Sequence, residues 1–110
     1  MIIAISSKGR NLDSTVYPNF DKAPYFFIVN TETWYDHHPV INPFAQRTKR
    51  QADMTARFIS DSGVHSIITE KCCDRDIDTL KTKGISVYRL KKHNLTIREA
   101  IDEFSGKSPT

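Results

Sequence analysis

Cysteine is nearly absent from this 110-residue chain: there are two, and they are adjacent, Cys72-Cys73. Neighbouring cysteines rarely bond each other, because a disulfide wants its Cα atoms ~5.5 Å apart whereas a trans peptide holds them at ~3.8 Å. The fold must therefore stand without covalent staples, and no CxxC spacing offers the loop-separated ligands of a closed zinc site. Glycine (four) and proline (five) are too sparse for collagen-like or low-complexity classes, and no segment repeats. Long hydrophobic runs are missing too. The opening MIIAIS is too short for a signal h-region and has no basic residue before it, and nothing later could span a bilayer. A cytoplasmic protein with free thiols in a reducing compartment is expected. Nor is there a large excess of one charge: sixteen Lys+Arg against thirteen Asp+Glu give a net +3, which by itself fits most partners.

The composition is that of a globular domain, 38% hydrophobic and 26% charged, in a chain long enough to bury about two thirds of its unfolded surface. One domain over residues 1–104 is expected, followed by a frayed tail at 105–110. Ile2-Ile3-Ala4-Ile5 is a continuous apolar run, the pattern of a central strand covered on both faces, ending at the polar turn Ser6 to Gly9. Tyr25 to Val29 reads as a second strand. Val40-Ile41 reads as the core of a third, which Pro39 confines to a sheet edge because it cannot donate a ladder hydrogen bond. From Gln51 to Ser62, Ala52, Thr55, Ala56 and Ile59 follow helical spacing, and Gly63 stands at the C-terminal stop. A strand over Val64 to Thr69, a helix over Asp74 to Lys83 with Ile77 and Leu80 inward and Gly84 as its stop, and a strand over Ile85 to Tyr88 follow. A capping box from Thr96 to Glu99 opens a last helix with Ile97, Ala100, Ile101 and Phe104 on one face. The order βββαβαβα predicts a mixed five-stranded sheet whose later strands run parallel through right-handed crossovers.

Several segments together, IIAISSKGRNLDS, VYPNFDKAPYFFIVNTET, Asn42-Pro43, ISDSGVHSIIT, KGISVY and TIREAIDEF, resemble the dinitrogenase iron-molybdenum cofactor family, small domains related to nitrogenase cofactor carriers and to molybdenum-copper orange proteins. The resemblance spans nearly the whole chain and implies an α/β, ribonuclease-H-like fold with sheet order 3-2-1-4-5 and three helices. It also implies a role in handling an iron-sulfur or molybdenum-containing cluster. Two loops depart from the family pattern. Gln46 to Gln51 stands where a glycine-rich turn is usual before the first helix, and Glu70-Lys71-Cys72-Cys73-Asp74 stands where a Gly- and Pro-containing turn is usual after the fourth strand.

In that topology the carboxyl ends of strands one, three, four and five share the edge where open α/β sheets place ligands. Ten of the sixteen basic residues map there: Lys8, Arg10, Arg47, Lys49, Arg50, Lys71, Arg75, Arg89, Lys91 and Lys92. Two helix N-termini add positive potential, so an anion is the expected guest. The candidate cofactor-binding residues are Ser7, Lys8, Arg10, Arg47, Lys49, Arg50, Lys71 and Arg75. The candidate metal ligands are Cys72 and Cys73, placed beside Lys71 and Arg75 where thiolate is favoured and a soft, anionic metal-sulfide cluster can be both attracted and ligated. Against this, adjacent side chains diverge, so one cysteine can be a small core residue while only the other faces the rim; a solvated charged surface is the alternative for the rim, and the coincident helix N-termini favour an anion or partner site over it.

His37-His38 falls in the turn between the second and third strands and His65 at the start of the fourth, both at the opposite edge. His93 lies in a solvent-exposed loop near the rim, and Trp34-Tyr35 at a hairpin tip suggests a partner contact or a tip folded back. A nuclease on this sheet needs carboxylates around two metals, one from the central strand, and that strand carries no acid. Nucleophilic chemistry needs a base beside the cysteines, and His93 is the one histidine that maps anywhere near them, so a non-enzyme is expected. Nucleic-acid binding is disfavoured because Tyr88 is the only aromatic mapped near the rim. The expected partners are an anionic metal cluster and the proteins that donate or accept it, with no membrane; the alternative is a protein-interaction or nucleic-acid-binding module that holds no cofactor.

Overall fold

The structure, a computed structural model, describes residues 1–33, 37–45, 51–72 and 74–106, with the side chains of 51–53 set aside. Apolar residues that can be covered on both faces form the middle of the sheet. β1 (Ile2–Ser7) is buried from Ile3 onward. It pairs antiparallel with β2 (Tyr25–Asn30), Ile3 opposite Val29 and Ser7 opposite Tyr25, and β2 pairs antiparallel with β3 (His37–Ile41), Phe27 opposite Pro39. On its other side β1 runs parallel to β4 (Ser66–Thr69), which runs parallel to β5 (Ser86–Arg89), giving the order β3-β2-β1-β4-β5.

Alternation along the strands divides the core into two layers. Ala4, Phe26, Ile28 and Ile67 face one way, onto Ala56 and Ile59 of α1 (Gln51–Asp61) and Leu80 of α2 (Asp74–Thr82). Ile3, Ile5, Phe27, Val29 and Ile68 face the other way, onto Ile97 and Ala100 of α3 (Ile97–Ser105) and Val16 of the long loop. Of the expected inward positions, Thr55, Ala56, Ile59 and Leu80 are buried, with Ile77 packed at the margin; the side chain of Ala52 lies outside the described residues. Gly63 and Gly84 both take φ +77°, the left-handed conformation that stops α1 and α2.

Two local expectations are corrected. His37 and His38 belong to β3 and not to the turn, because pairing with Val29 and Ile28 extends the strand past Pro39; His37 packs its ring 5.7 Å from that of Phe27. The long loop also contains a single 3-10 turn, η1 (Phe20–Lys22), anchored by fully buried Phe20. Trp34, Tyr35 and the tail beyond Gly106 lie outside the described residues.

Candidate functional site

Because β1, β4 and β5 are parallel and two antiparallel pairings return β3 to the same direction, Ser7, Ile41, Thr69 and Arg89 end at one edge. The floor of that edge is made of hydroxyls already spent on structure. Ser6 Oγ lies 2.8 Å from the Tyr17 carbonyl oxygen and 3.0 Å from Thr69 Oγ1, and the Thr69 hydroxyl donates to the Pro18 carbonyl at 3.2 Å. Lys71 N–H donates to the same Pro18 carbonyl at 2.8 Å. The segment leading into η1 is thereby fastened across the ends of β1 and β4. Buried Asn42 holds the far side of η1: its Nδ2 donates to the Ala23 carbonyl at 2.9 Å and its backbone N–H to the Pro24 carbonyl at 3.0 Å.

Between η1, the β4–α2 turn and the end of β5 lies a cleft of about 480 Å3, within the range of small-ligand sites. Cys72 forms part of its wall and is only 6% exposed, sharing the hydrophobic layer under α1 and α2. Lys22, Lys71 and Arg89 bring positive charge, while Asp21, Glu70 and Asp76 bring carboxylates. Asp74 and Asp76 lie in the first turn of α2, where they complement the helix's own N-terminal potential. The cleft is thus mixed in charge, with three cationic and three carboxylate side chains in its lining.

The predicted residues divide accordingly. Lys71 and Cys72 line the cleft, together with Arg89 of the basic rim. Lys8, Arg10, Arg75, Lys91 and Lys92 are exposed and, like Lys71 and Arg89, make no salt bridge among the described residues. Ser7 is fully buried, its hydroxyl donating to the Gly9 carbonyl at 2.8 Å and accepting from Gly9 N–H at 3.2 Å, so it closes the turn after β1. Arg47, Lys49, Arg50 and Cys73 lie outside the described residues. Among the described residues, no three of His, Cys, Asp and Glu gather as a metal-ion site.

The sequence reading missed Asn19, Asp21 and Lys22, because a three-residue turn has no periodicity to detect. It also missed Tyr25. Since β2 runs antiparallel, its first residue sits opposite Ser7 and Ile41 at the ligand edge, which corrects the view that Tyr88 is the only aromatic there. The Arg10 guanidinium lies 5.3 Å from the Tyr25 ring centroid, and its Nε donates to the Tyr25 hydroxyl at 3.2 Å. Tyr88 is turned to the other face, edge-on to Phe104; burial first, and then a hydrogen bond to Glu103, hold its hydroxyl above the usual phenol range. His65 is confirmed at the opposite edge, where its Nδ1 accepts from Ile2 N–H at 3.0 Å.

A family model described as dinitrogenase iron-molybdenum cofactor matches residues 1–107. Among solved structures, the apo form of the orange protein from Desulfovibrio gigas aligns with a TM-score of 0.88 at 25% identity, covering 96% of this chain and 88% of that one. The NMR structure of a NifB-like protein from Thermotoga aligns with a TM-score of 0.77 at 33% identity, covering 96% and 87%. No curated protein matches the chain in sequence. No helix among the described residues is long and apolar enough to cross a membrane.

Proposed function

The chain belongs to the dinitrogenase iron-molybdenum cofactor family, and from that premise we propose that it binds and carries an anionic iron- or molybdenum-containing metal-sulfur cluster between donor and acceptor proteins. The observation that carries this reading is the cleft at the carboxyl edge, with Cys72 in its wall and Lys22, Lys71 and Arg89 around it. The lysine ammonium and arginine guanidinium groups donate charge-assisted hydrogen bonds to cluster sulfides. Cys72 offers a soft sulfur to a metal, and Asp21 and Asp76 offer oxygen donors. Lys8, Arg75, Lys91 and Lys92 supply the outer field that draws the anion in. Arg47, Lys49, Arg50 and Cys73 are assigned to the same edge by their sequence positions.

The protein's work in this reading is retention, without turnover. The hydroxyls at the end of β1 are already committed to Tyr17, Thr69 and Gly9, which supports carriage over nucleophilic chemistry. Nucleic-acid binding gains an aromatic in Tyr25, but Arg10 already covers a face of that ring, so stacking a base there would first displace the guanidinium.

The test is anaerobic purification followed by elemental analysis and a visible spectrum. The wild-type protein is expected to carry iron or molybdenum with a visible band, and Cys72→Ser is expected to lose most of both. A colourless wild type that takes up no cluster on reconstitution overturns the reading.

A further inference from the structure

We infer that the uncovered end of the sheet, Ile41 with Tyr25 and Arg10, is a docking surface for an acidic partner protein that offers an apolar side chain flanked by carboxylates. The inference stands whatever the cleft holds. Directly opposed residues of an antiparallel pair share a face, so Ile41 lies beside Tyr25 and Pro39 beside Phe27, on the face that α3 covers farther along the sheet. That cover stops short of β3. The apolar layer beneath α3 takes in Ile3, Ile5, Phe27, Val29 and Ile68 but, among the described residues, no apolar residue of β3. Ile41 is consequently 62% exposed, more than any other large hydrophobic side chain among the described residues.

A single exposed apolar residue would need no explanation, but Ile41 is not alone. Its cross-strand neighbour Tyr25 carries the Arg10 guanidinium over its ring and accepts from Arg10 Nε through its hydroxyl. Those two contacts fix the guanidinium before a partner arrives, so less side-chain freedom is lost on docking. They use Nε and leave the terminal amino groups, which have no hydrogen bond among the described residues, to meet a carboxylate. An aromatic ring, an arginine and an aliphatic side chain together have the composition of an interface centre.

Charge selects the occupant. Lys8 and Arg10 are exposed and make no salt bridge among the described residues, and Asp13, the nearest acid along the chain, lies 3.7 Å from Arg98. A second copy docked through the same patch across a two-fold axis would set these cations against their own kind. The edge of β3 is also a poor template for an added strand. Asn42 N–H donates to the Pro24 carbonyl and so continues the ladder with β2; by alternation His37, Pro39 and Ile41 turn their backbone groups outward. Pro39 has no N–H to give at the middle of that edge. Recognition is left to side chains, apolar on Ile41 and Tyr25 and acidic on Arg10 and Lys8.

The test titrates the 15N-labelled full chain with a synthetic peptide in which leucine and phenylalanine are flanked by glutamates, and then with the same peptide carrying glutamine for every glutamate. The amide resonances of Arg10, Tyr25 and Ile41 are expected to shift together with the acidic peptide. Affinity is expected to fall at least about tenfold in Ile41→Ser, in Arg10→Glu and for the glutamine peptide. Ile41→Ser is expected to keep the wild-type thermal unfolding midpoint, so that its loss of binding reports the surface and not the fold. Shifts confined to the residues of the cleft, or no shifts at all, overturn the inference. So does a wild-type dimer in sedimentation that Ile41→Ser breaks, or a single-stranded oligonucleotide that moves the same resonances further than the peptide at equal concentration.

Discussion

At the scale of single residues, the capping box at α3 shows how much two side chains decide. The Thr96 side chain accepts from Glu99 N–H at 3.1 Å, and the Glu99 carboxylate accepts from Thr96 N–H at 2.9 Å. The backbone hydrogen bond to Thr96, the larger cause, and the bond to its side chain hold the Glu99 carboxyl below the usual carboxylate range, with slight desolvation opposing them and Lys92 helping. A carboxyl whose pKa is lowered by folding contributes stability that is fully present above its unfolded value and disappears as pH falls through the folded one. Glu99→Gln is therefore expected to lie below wild type in thermal midpoint near pH 6 and to converge with it in strong acid; parallel melting curves at every pH would refute this. The box was legible in the sequence because its spacing is local. The contact of Glu70 with His93, 2.9 Å from carboxylate oxygen to Nδ1, was not, because its partners are 23 residues apart and meet only after β4 and β5 pair.

At the scale of elements, the stops proved as informative as the runs. Gly84 has φ +77° with nothing within 4 Å of where a Cβ would stand, so the cost of a side chain there is conformational and not steric crowding by neighbours. Gly84→Ala is expected to destabilise the protein by about 1 kcal/mol, read from the urea midpoint, with an unchanged slope; no loss would mean that the turn relaxes. Strand and helix identities were legible wherever hydrophobic period and glycine stops agreed. The sequence reading began β3 too late because two histidines and a proline carry no strand signal of their own, and their conformation is imposed by Ile28 and Val29 across the ladder. η1 was hidden for the related reason that its place is set by the burial of Phe20 and by the Asn42 amide, both long-range effects.

At the scale of the whole molecule, a formal charge of +3 conceals an uneven distribution. Among the described residues, Lys71 and Arg89 line the cleft with Lys22, and Asp21, Glu70 and Asp76 line it as well. Counting basic loops along the sequence passes over those carboxylates, because it follows one sign of charge. Cluster uptake is expected to combine a salt-sensitive approach with short-range retention: Lys71→Glu with Arg89→Glu should slow association of an anionic iron-sulfur probe at least about tenfold at low ionic strength. That difference should shrink toward ~1 M salt, where screening reaches ~3 Å. Stopped-flow rates equal to wild type at low salt would sink the electrostatic part of the account.

The residues that wall the cleft run in sequence from Asn19 to Arg89, the last of them at the end of β5. A chain growing from its amino end consequently has nowhere to lodge a guest until β5 has emerged and zipped onto β4.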